Sequence, residues 1–269
     1  MSAPFQPTDP SYLTTAPIMY QGSQGYRGDQ RWATGFYFAA GEEIHLITCR
    51  HCIDFLTENS KPLESVRIHL RNDADDLKST EPLDLTLVST DGSRHWKGYP
   101  DNELIDLVAI PLRPPVIDRS INYGDVDDLG IVPLTSKNIP SPDTKGGGIE
   151  MIHGGSQAMI LGYPFKPSDP YYPTAKTALI STPYGEQFMK LPRFLTDANT
   201  QDGLSGAPIL TVHQSGSIVK TSKGPKLRNY LRDQELIGIH SGTQNAYDVD
   251  IGLNEAWYSY LIEEMVFSR

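Results

Sequence analysis

Short stretches of alternating hydrophobic and polar residues dominate the first half of the chain. This alternation, or a short apolar run, predicts β-strands at Ala33–Ala40, Ile44–Thr48, Val66–Arg71, Leu83–Val88 and Leu107–Leu112. A Gly-Glu-Glu turn joins the first two strands into a hairpin, and a short helix is predicted at Cys52–Leu56. The half holds about six strands, which is enough to close a small barrel.

The second half of the chain also shows strand patterns, but its last residues show the spacing of a helix. Strands are predicted at Ala158–Leu161, Thr177–Ser181, Phe188–Leu191, Pro208–Val212 and Leu236–Ile239. Near the end, Leu253, Trp257, Leu261 and Met265 recur at every fourth position. Because this spacing places side chains on one face of a helix, it predicts a C-terminal helix within residues 252–267.

Proline and glycine clusters divide the pattern into segments. Residues 1–30 are rich in Pro, Gly and Gln and predict an extended N-terminal lead-in. We predict an N-terminal β-barrel over 31–125, an inter-barrel linker over 126–150, and a C-terminal β-barrel with the final helix over 151–269. The length of 269 residues suits such a pair of barrels sharing one cleft as a single functional domain.

Charge narrows the range of partners. The formal net charge is −10 at pH 7, and no basic stripe is present, so we expect neither nucleic-acid binding nor attraction to an anionic membrane surface. The N-terminal MSAPFQPTDP lacks the basic and apolar regions of a secretory signal, and no apolar stretch is long enough to span a bilayer. We therefore expect a cytoplasmic protein.

Only two cysteines are present, Cys49 and Cys52, so a disulfide framework is not expected. A C-x-x-C pair is compatible with a redox role or with half a zinc site. A second pair of ligands at regular spacing is missing, and small buried core residues are the simpler interpretation. No metal and no cofactor are predicted.

Three stretches carry residues for nucleophilic chemistry. His51 lies in TCRHC, Asp106 opens the apolar run DLVAI, and Ser205 lies in DGLSGAP. A serine hydroxyl needs an adjacent base to take its proton, and that base needs an anion to hold its tautomer. Each stretch alone is common in structural roles, but the three in this order predict a catalytic triad. The N–H groups of Gly203 and Ser205 are predicted to form an oxyanion hole.

In these motifs the chain resembles the chymotrypsin-like (trypsin-fold) serine peptidases. TCRHC is similar to the family's TAAHC, DLVAI to its DIAL and GLSGAP to its GDSGGP, within residues 33–245. The resemblance implies an all-β fold of two antiparallel six-stranded β-barrels, to which the periodicity adds the C-terminal helix. It also implies a serine endopeptidase that cleaves protein or peptide substrates through an acyl-enzyme.

Two positions depart from the secreted members of that family. Leu204 replaces the aspartate that pairs with a new N-terminus after zymogen cleavage, so that route of activation is not expected. Cys52 has no cysteine near Gly35 with which to form the usual disulfide. Both departures suit an intracellular enzyme.

The strand after the nucleophile resembles a particular specificity pocket. Its G-I-H-x-G motif contains His240 and resembles the glutamyl endopeptidases and the picornavirus cysteine proteases, which also place a threonine where Thr200 stands. The resemblance implies cleavage after Glu or Gln, and the sequence leaves these two open. Ser241 and Gly242, with the adjacent Thr243, are predicted to bind the substrate backbone.

Two other interpretations compete with a serine endopeptidase. An α/β-hydrolase is disfavoured because its triad order is Ser, Asp, His and its βαβ pattern is absent. A catalytically inactive or partner-gated binding module with the same fold remains open. The acidic segment 72–76 and the glycine run 146–148 are candidate sites for a regulatory protein partner, or simply solvated loops.

Overall fold

The structure is a computed structural model of the 269-residue chain. It describes residues 10–20, 32–55, 62–74, 76–100, 102–126, 128–140, 152–165, 172–212, 218–221, 224–227, 234–246 and 249–268. The glycine run 146–148, most of the N-terminal lead-in and part of the predicted linker lie outside these residues.

The first sheet is built from the N-terminal half. Its strands are β1 (Thr15–Met19), β2 (Trp32–Ala40), β3 (Glu43–Thr48), β4 (Ser65–Arg71), β5 (Thr80–Thr86), β6 (Lys97–Gly98), β7 (Val108–Pro111) and β8 (Leu134–Thr135). They follow the order β5-β4-β1-β2-β3-β7-β6, with β8 added in parallel to β2. All other neighbours in this sheet are antiparallel.

The second sheet is built from the C-terminal half. Its strands are β9 (Gln157–Gly162), β10 (Thr174–Leu179), β11 (Arg193–Thr196), β12 (Pro208–Thr211), β15 (Leu236–Ala246) and β16 (Val249–Tyr258). They are antiparallel in the order β10-β9-β12-β15-β16-β11. A separate hairpin contains β13 (Ile218–Thr221) and β14 (Gly224–Leu227). Helix α1 (Tyr260–Phe267) ends the fold, and 3₁₀ helices span Pro10–Leu13, Arg50–Cys52, Tyr123–Asp125 and Ser136–Asn138.

Two apolar cores lie against the curled sheets, and the first also includes side chains of β12, β15, β16 and helix α1. The fully buried side chains of the first core include Phe36, Phe38 and Leu46, which come from the hairpin of β2 and β3. In the second core, Phe194 of β11 packs against Tyr184 and Tyr258. The predicted all-β class with two curled antiparallel sheets and one C-terminal helix is confirmed.

Polar side chains of β2 hold the two sheets together. The buried Thr34 hydroxyl donates to the carbonyl of Gly203 (2.7 Å) and accepts from the backbone N–H of Tyr163 (3.0 Å). The neighbouring Trp32 indole donates to the carbonyl of Tyr163 (3.0 Å). One strand of the first sheet therefore fixes the loop that carries Ser205 in the second.

The C-terminal helix is shorter than the spacing of four predicts. Residues 252–258 belong to β16, and only Tyr260–Phe267 is helical. A spacing of four is also a multiple of two, so Leu253 and Trp257 share one face of a strand as well as of a helix. Pairing of β16 with both β15 and β11 decides the outcome, because it satisfies the backbone on both sides.

Other local predictions also differ from the structure. The strand predicted at Phe188–Leu191 is wrong: Met189 and Lys190 have positive φ in a tight turn, and the strand begins at Arg193. Residues 15–19 of the predicted lead-in form β1, which lies between β2 and β4. The short helix expected after Cys52 is a 3₁₀ helix that ends there. No described helix is long and apolar enough to cross a membrane.

Removing the Thr34 hydroxyl tests the link between the sheets. Thr34→Val keeps the volume but leaves a buried N–H of Tyr163 and a buried carbonyl of Gly203 without partners. Because each such group costs about 1–3 kcal/mol, we expect the free energy of unfolding to fall by about 3 kcal/mol in urea denaturation. The same change at the exposed Thr86 of β5 should have little effect, and an equal loss in both variants would contradict this account.

Candidate active site

His51 and Asp106 come together because of the register between β3 and β7. These antiparallel strands pair Thr48 with Val108. His51 lies three residues beyond the end of β3, and Asp106 lies two residues before β7 begins. Both residues therefore emerge at the same end of the first sheet.

The Asp106 carboxylate fixes the His51 ring. Its Oδ2 lies 2.6 Å from Nδ1 of the His51 ring, and its Oδ1 accepts the backbone N–H of His51 at 2.8 Å. Because a carboxylate only accepts hydrogen bonds, Nδ1 of His51 carries the proton. Nε2 of a neutral His51 is then the nitrogen that can accept one, as a general base requires.

Ser241 adds a third donor to this carboxylate. Its hydroxyl donates to Oδ2 of Asp106 at 2.8 Å. On β15, His240 pairs with Ala256 and Gly242 pairs with Glu255, so Ser241 is the extra residue of a β-bulge. A bulge redirects a side chain relative to the regular pleat. The sequence predicted Ser241 only as a substrate-binding residue, because bulges leave no local pattern of residues to detect.

Burial and these hydrogen bonds shift both pKa values of the pair. Burial raises the pKa of Asp106, but the hydrogen bonds and charge of His51 and the Ser241 hydroxyl outweigh it and hold the pKa below its usual value. Burial alone would lower the pKa of His51. The adjacent Cys52 sulfur and the Asp106 carboxylate outweigh that effect and raise the pKa above its ordinary value.

Ser205 lies against the same residue that binds Asp106. Its hydroxyl donates to the backbone carbonyl of Ser241 at 2.9 Å, and its own carbonyl accepts the N–H of Thr34 at 3.0 Å. The Cys52 thiol, one residue after His51, lies 3.9 Å from the same Ser205 carbonyl. The structure thus brings His51, Asp106 and Ser205 to one place, with Ser241 between Asp106 and Ser205.

The loop before Ser205 has the backbone form of an anion site. Gly203 has φ of +93°, and a Cβ there would overlap Trp32 and the carbonyl of Tyr163, so only glycine fits. Among the described residues, neither the N–H of Gly203 nor that of Ser205 has a hydrogen-bond acceptor. Two unpaired N–H donors beside Ser205 are what an oxyanion hole needs.

A comparison with known protein families gives independent information about the chain. The sequence profile described as "Trypsin-like peptidase domain" matches residues 33–219. The chain belongs to the trypsin-like peptidase family. The enzyme class predicted from the sequence, a serine endopeptidase and hence a hydrolase, is confirmed.

Two solved structures, of Deg5 and of an HtrA-type protease, support the fold of this peptidase. Deg5 is 16% identical with a TM-score of 0.50, covering 94% of this chain and 87% of its own. The HtrA-type protease AlgW, solved with a tripeptide, is 16% identical with a TM-score of 0.51, covering 94% of this chain and 58% of its own. The serine endoprotease from Yersinia pestis is 14% identical with a TM-score of 0.48, covering 98% of this chain and 66% of its own. The peptidase thus spans less than two thirds of the length of the AlgW chain and of the Yersinia pestis chain. No curated protein sequence matches it.

Thr200 and His240, which are predicted to form the specificity pocket, make no direct hydrogen bond with each other in the described part of the chain. The Thr200 hydroxyl donates to Oδ1 of Asn254 (2.5 Å), whose amide nitrogen donates to the carbonyl of Ala198. His240 is only 2% exposed, and its Nδ1 has no hydrogen-bond partner. Thr200 is therefore held by Asn254, a residue that no sequence motif indicated. Within the described residues, no hydrogen bond joins Thr200 to His240.

His240 is neutral in the peptidase. Burial, and then the nearby charges of His51 and Lys176, lower the pKa of His240 to about 3. Lys176 of β10 also bonds the carbonyl of Asn199, next to Thr200, which places its ammonium beside the predicted pocket. No local sequence pattern indicates Lys176, because it lies on a strand that is distant along the chain from Thr200 and His240.

The two cysteines of the peptidase are free and buried. The Cys49 thiol lies 3.3 Å from the carbonyl of His240. Ligand atoms of Cys49, His51 and Asp106 lie within 4.8 Å of one another, which makes them the group in the described part of the chain that could approach a metal ion. Within this group, Nδ1 of His51 already donates to Asp106. The absence of a metal stays a prediction.

An amide at position 106 tests the coupling within the pair. In Asp106→Asn the negative charge that favours the imidazolium is lost, so the pKa of His51 should fall by about one pH unit or more. The measurement is an NMR titration of the histidine ring signals, with the exposed His153 as an internal reference. An unchanged or higher pKa of His51 would show that Asp106 does not control its protonation.

Proposed function

We propose that this serine endopeptidase works through a triad of Ser205 as nucleophile, His51 as general base and Asp106 as the anion that orients His51. The observation that carries the proposal is the convergence of Ser205 and Asp106 on Ser241, while Asp106 holds Nδ1 of His51. The N–H groups of Gly203 and Ser205 would stabilise the oxyanion of the tetrahedral intermediate.

The reaction follows from these positions. The Ser205 hydroxyl turns from the Ser241 carbonyl toward His51, transfers its proton to Nε2 and forms a bond to the substrate carbonyl carbon. The imidazolium, stabilised by Asp106, then gives this proton to the leaving amine as the peptide bond breaks. Water attacks the acyl-enzyme by the same route, which releases the acid and restores Ser205.

The raised pKa of His51 sets a pH dependence. Only neutral His51 can take the serine proton, so activity should rise with pH as the imidazolium loses its proton. Because the pKa is raised, this rise should lie above the ordinary histidine value of about 6.5.

Cleavage after Glu or Gln is part of the proposal. Two features near the predicted pocket support it, the unpaired Nδ1 of neutral His240 and the ammonium of Lys176. The Thr200 hydroxyl would join them by turning its proton from Asn254 to the substrate oxygen. A neutral imidazole can donate to either a carboxylate or an amide oxygen. The charge of Lys176 favours Glu, whereas the exposed Asp202 opposes it weakly across solvent. Because His240 is almost fully buried, substrate binding would require local opening around its ring.

Location and target complete the proposal. Two free cysteines without a disulfide suit a reducing compartment, so we place the peptidase in the cytoplasm, with a specific intracellular protein as its substrate. The backbone of Ser241 and Gly242 would pair with the substrate strand, with the Ser241 carbonyl released when Ser205 turns.

One observation favours a second candidate function. The Ser205 hydroxyl has a single proton and donates it to Ser241, so in this arrangement it cannot donate to His51 at the same time. A partner-gated peptidase, or an inactive module that only binds peptides, would hold the serine in such a position. A bound regulatory protein would then be needed to turn it.

A peptide library separates these candidates. The wild type and Ser205→Ala are incubated with the same peptides, and products are mapped by mass spectrometry. We expect cleavage by the wild type and a loss of at least about 10³-fold in Ser205→Ala. Ser136→Ala, a change at an exposed serine, should retain wild-type activity.

The cleavage sites test the pocket in the same experiment. Cuts after Glu or Gln that are weakened in His240→Leu would support the pocket. Cuts after other residues would keep the triad and overturn the predicted specificity. If the wild type cuts nothing, the gated or inactive candidate replaces the constitutive enzyme.

A further inference from the structure

A cavity opens beside the 3₁₀ helix that carries His51. Its volume is about 470 Å³, and its lining includes Arg50, Arg94, Trp96, Gly98 and Glu103. None of these residues has a part in the proposed reaction. The cavity lies next to the proposed base all the same, because Arg50 directly precedes His51 in the chain.

Arg50 is the cation of this cavity without a partner. Its Nε is fully buried and makes no hydrogen bond, and Arg50 forms no ion pair with any described residue. The second arginine differs: Arg94 is paired with Asp54 at 2.9 Å and lies 4.7 Å above the ring of Trp96.

Arg71 and Arg193 also bury an Nε without an acceptor, but their terminal nitrogens bond Leu77 and Glu255. The Arg50 side chain has no such bond within the described residues, although buried donors normally find an acceptor.

Because Gly98 has no side chain, the Arg50 guanidinium can pack against its backbone. A Cβ at position 98 would overlap a terminal nitrogen of Arg50, so the guanidinium lies against bare backbone of β6. This contact limits the directions in which Arg50 can turn. A fork of N–H donors held in this way matches the two oxygens of a carboxylate or of a phosphate group.

Apart from the paired Arg94, the cavity lining carries one cation, Arg50, and one carboxylate, Glu103. The exposed Glu103 lines the cavity without pairing to Arg50. The chain has 23 basic and 33 acidic residues, so an arginine left without an acidic partner is not explained by a shortage of carboxylates.

Backbone hydrogen bonds connect the cavity to the proposed triad. The N–H of Arg50 donates to the carbonyl of Asp106 at 3.2 Å. Gly98 pairs with Val108, two residues after Asp106. A ligand that moves Arg50 or β6 therefore acts on both ends of the His51–Asp106 hydrogen bond.

We propose that this cavity is an anion-binding site in which Arg50 binds a carboxylate or phosphate group, and that occupancy alters catalysis through the His51–Asp106 pair. The group would belong either to an acidic residue of the substrate or to a separate anionic ligand. The binding stands apart from the proposed function, whereas the effect on catalysis rests on it.

Phosphate binding by the full chain tests the site directly. Inorganic phosphate is titrated into the protein at constant ionic strength, with sodium chloride as the reference, and backbone amide NMR signals are followed. We expect saturable shifts near Arg50 and Gly98 in the wild type and at least about tenfold weaker binding in Arg50→Gln. Arg119→Gln, which removes a surface arginine paired with Glu81, should bind phosphate like the wild type.

Two results would overturn the site: no saturable binding beyond that of chloride, or equal phosphate affinity in the wild type and Arg50→Gln. Gly98→Ala is a second variant that keeps the test valid if Arg50→Gln fails to fold. It retains the arginine but displaces its guanidinium, so it too should weaken phosphate binding.

Kinetics on a cleaved peptide distinguish the two sources of the anion. A rise in KM with phosphate, at constant kcat, would assign the site to an acidic substrate residue. A change in kcat would assign it to a separate ligand, and both effects should vanish in Arg50→Gln. Phosphate that binds through Arg50 but changes neither constant would refute the coupling. If no peptide is cleaved, the proposed function fails while the NMR result on binding still stands.

Discussion

The burial of the Asp106 carboxylate is the constraint on which the rest of the site depends. A largely buried carboxylate is costly unless donors surround it. Here the donors are the ring and backbone N–H of His51 from the first sheet and the Ser241 hydroxyl from the second. The two sheets must therefore meet at this one side chain. Thr34 reinforces the meeting by binding the Gly203 carbonyl, which fixes the loop that carries Ser205.

The sequence predicted what depends on local pattern and missed what depends on distant pairing. Alternation located most strands, because local pattern determines them. Three short motifs predicted a triad of His51, Asp106 and Ser205, which the fold brings close together. The strand at 252–258 was mistaken for helix, since a spacing of four fits both periods. The bulge at Ser241, the Thr200–Asn254 bond and the approach of Lys176 to His240 arise from strand register between remote segments. No spacing within one segment encodes them.

Charge is distributed unevenly around the reaction centre. Burial keeps His240 neutral on one side, so the positive charge near the predicted pocket comes from Lys176. On the other side, Arg50 presents an unpaired guanidinium directly before His51. An acidic substrate could thus be recognised at two places, the residue before the cut and a second group at Arg50. Two such requirements would limit the number of proteins that the peptidase can cleave.

The most direct test of the central claim is labelling by a fluorophosphonate, which reacts only with a serine that a neighbouring base activates. The probe is added to the folded wild type and to His51→Ala, and the modified residue is mapped by peptide mass spectrometry. The account predicts phosphonylation at Ser205 in the wild type, with loss of fluoride, and a labelling rate lower by about 10³-fold or more in His51→Ala. An unlabelled Ser205 in the wild type, or equal labelling of both proteins, would contradict the assignment of Ser205 and His51 as nucleophile and base.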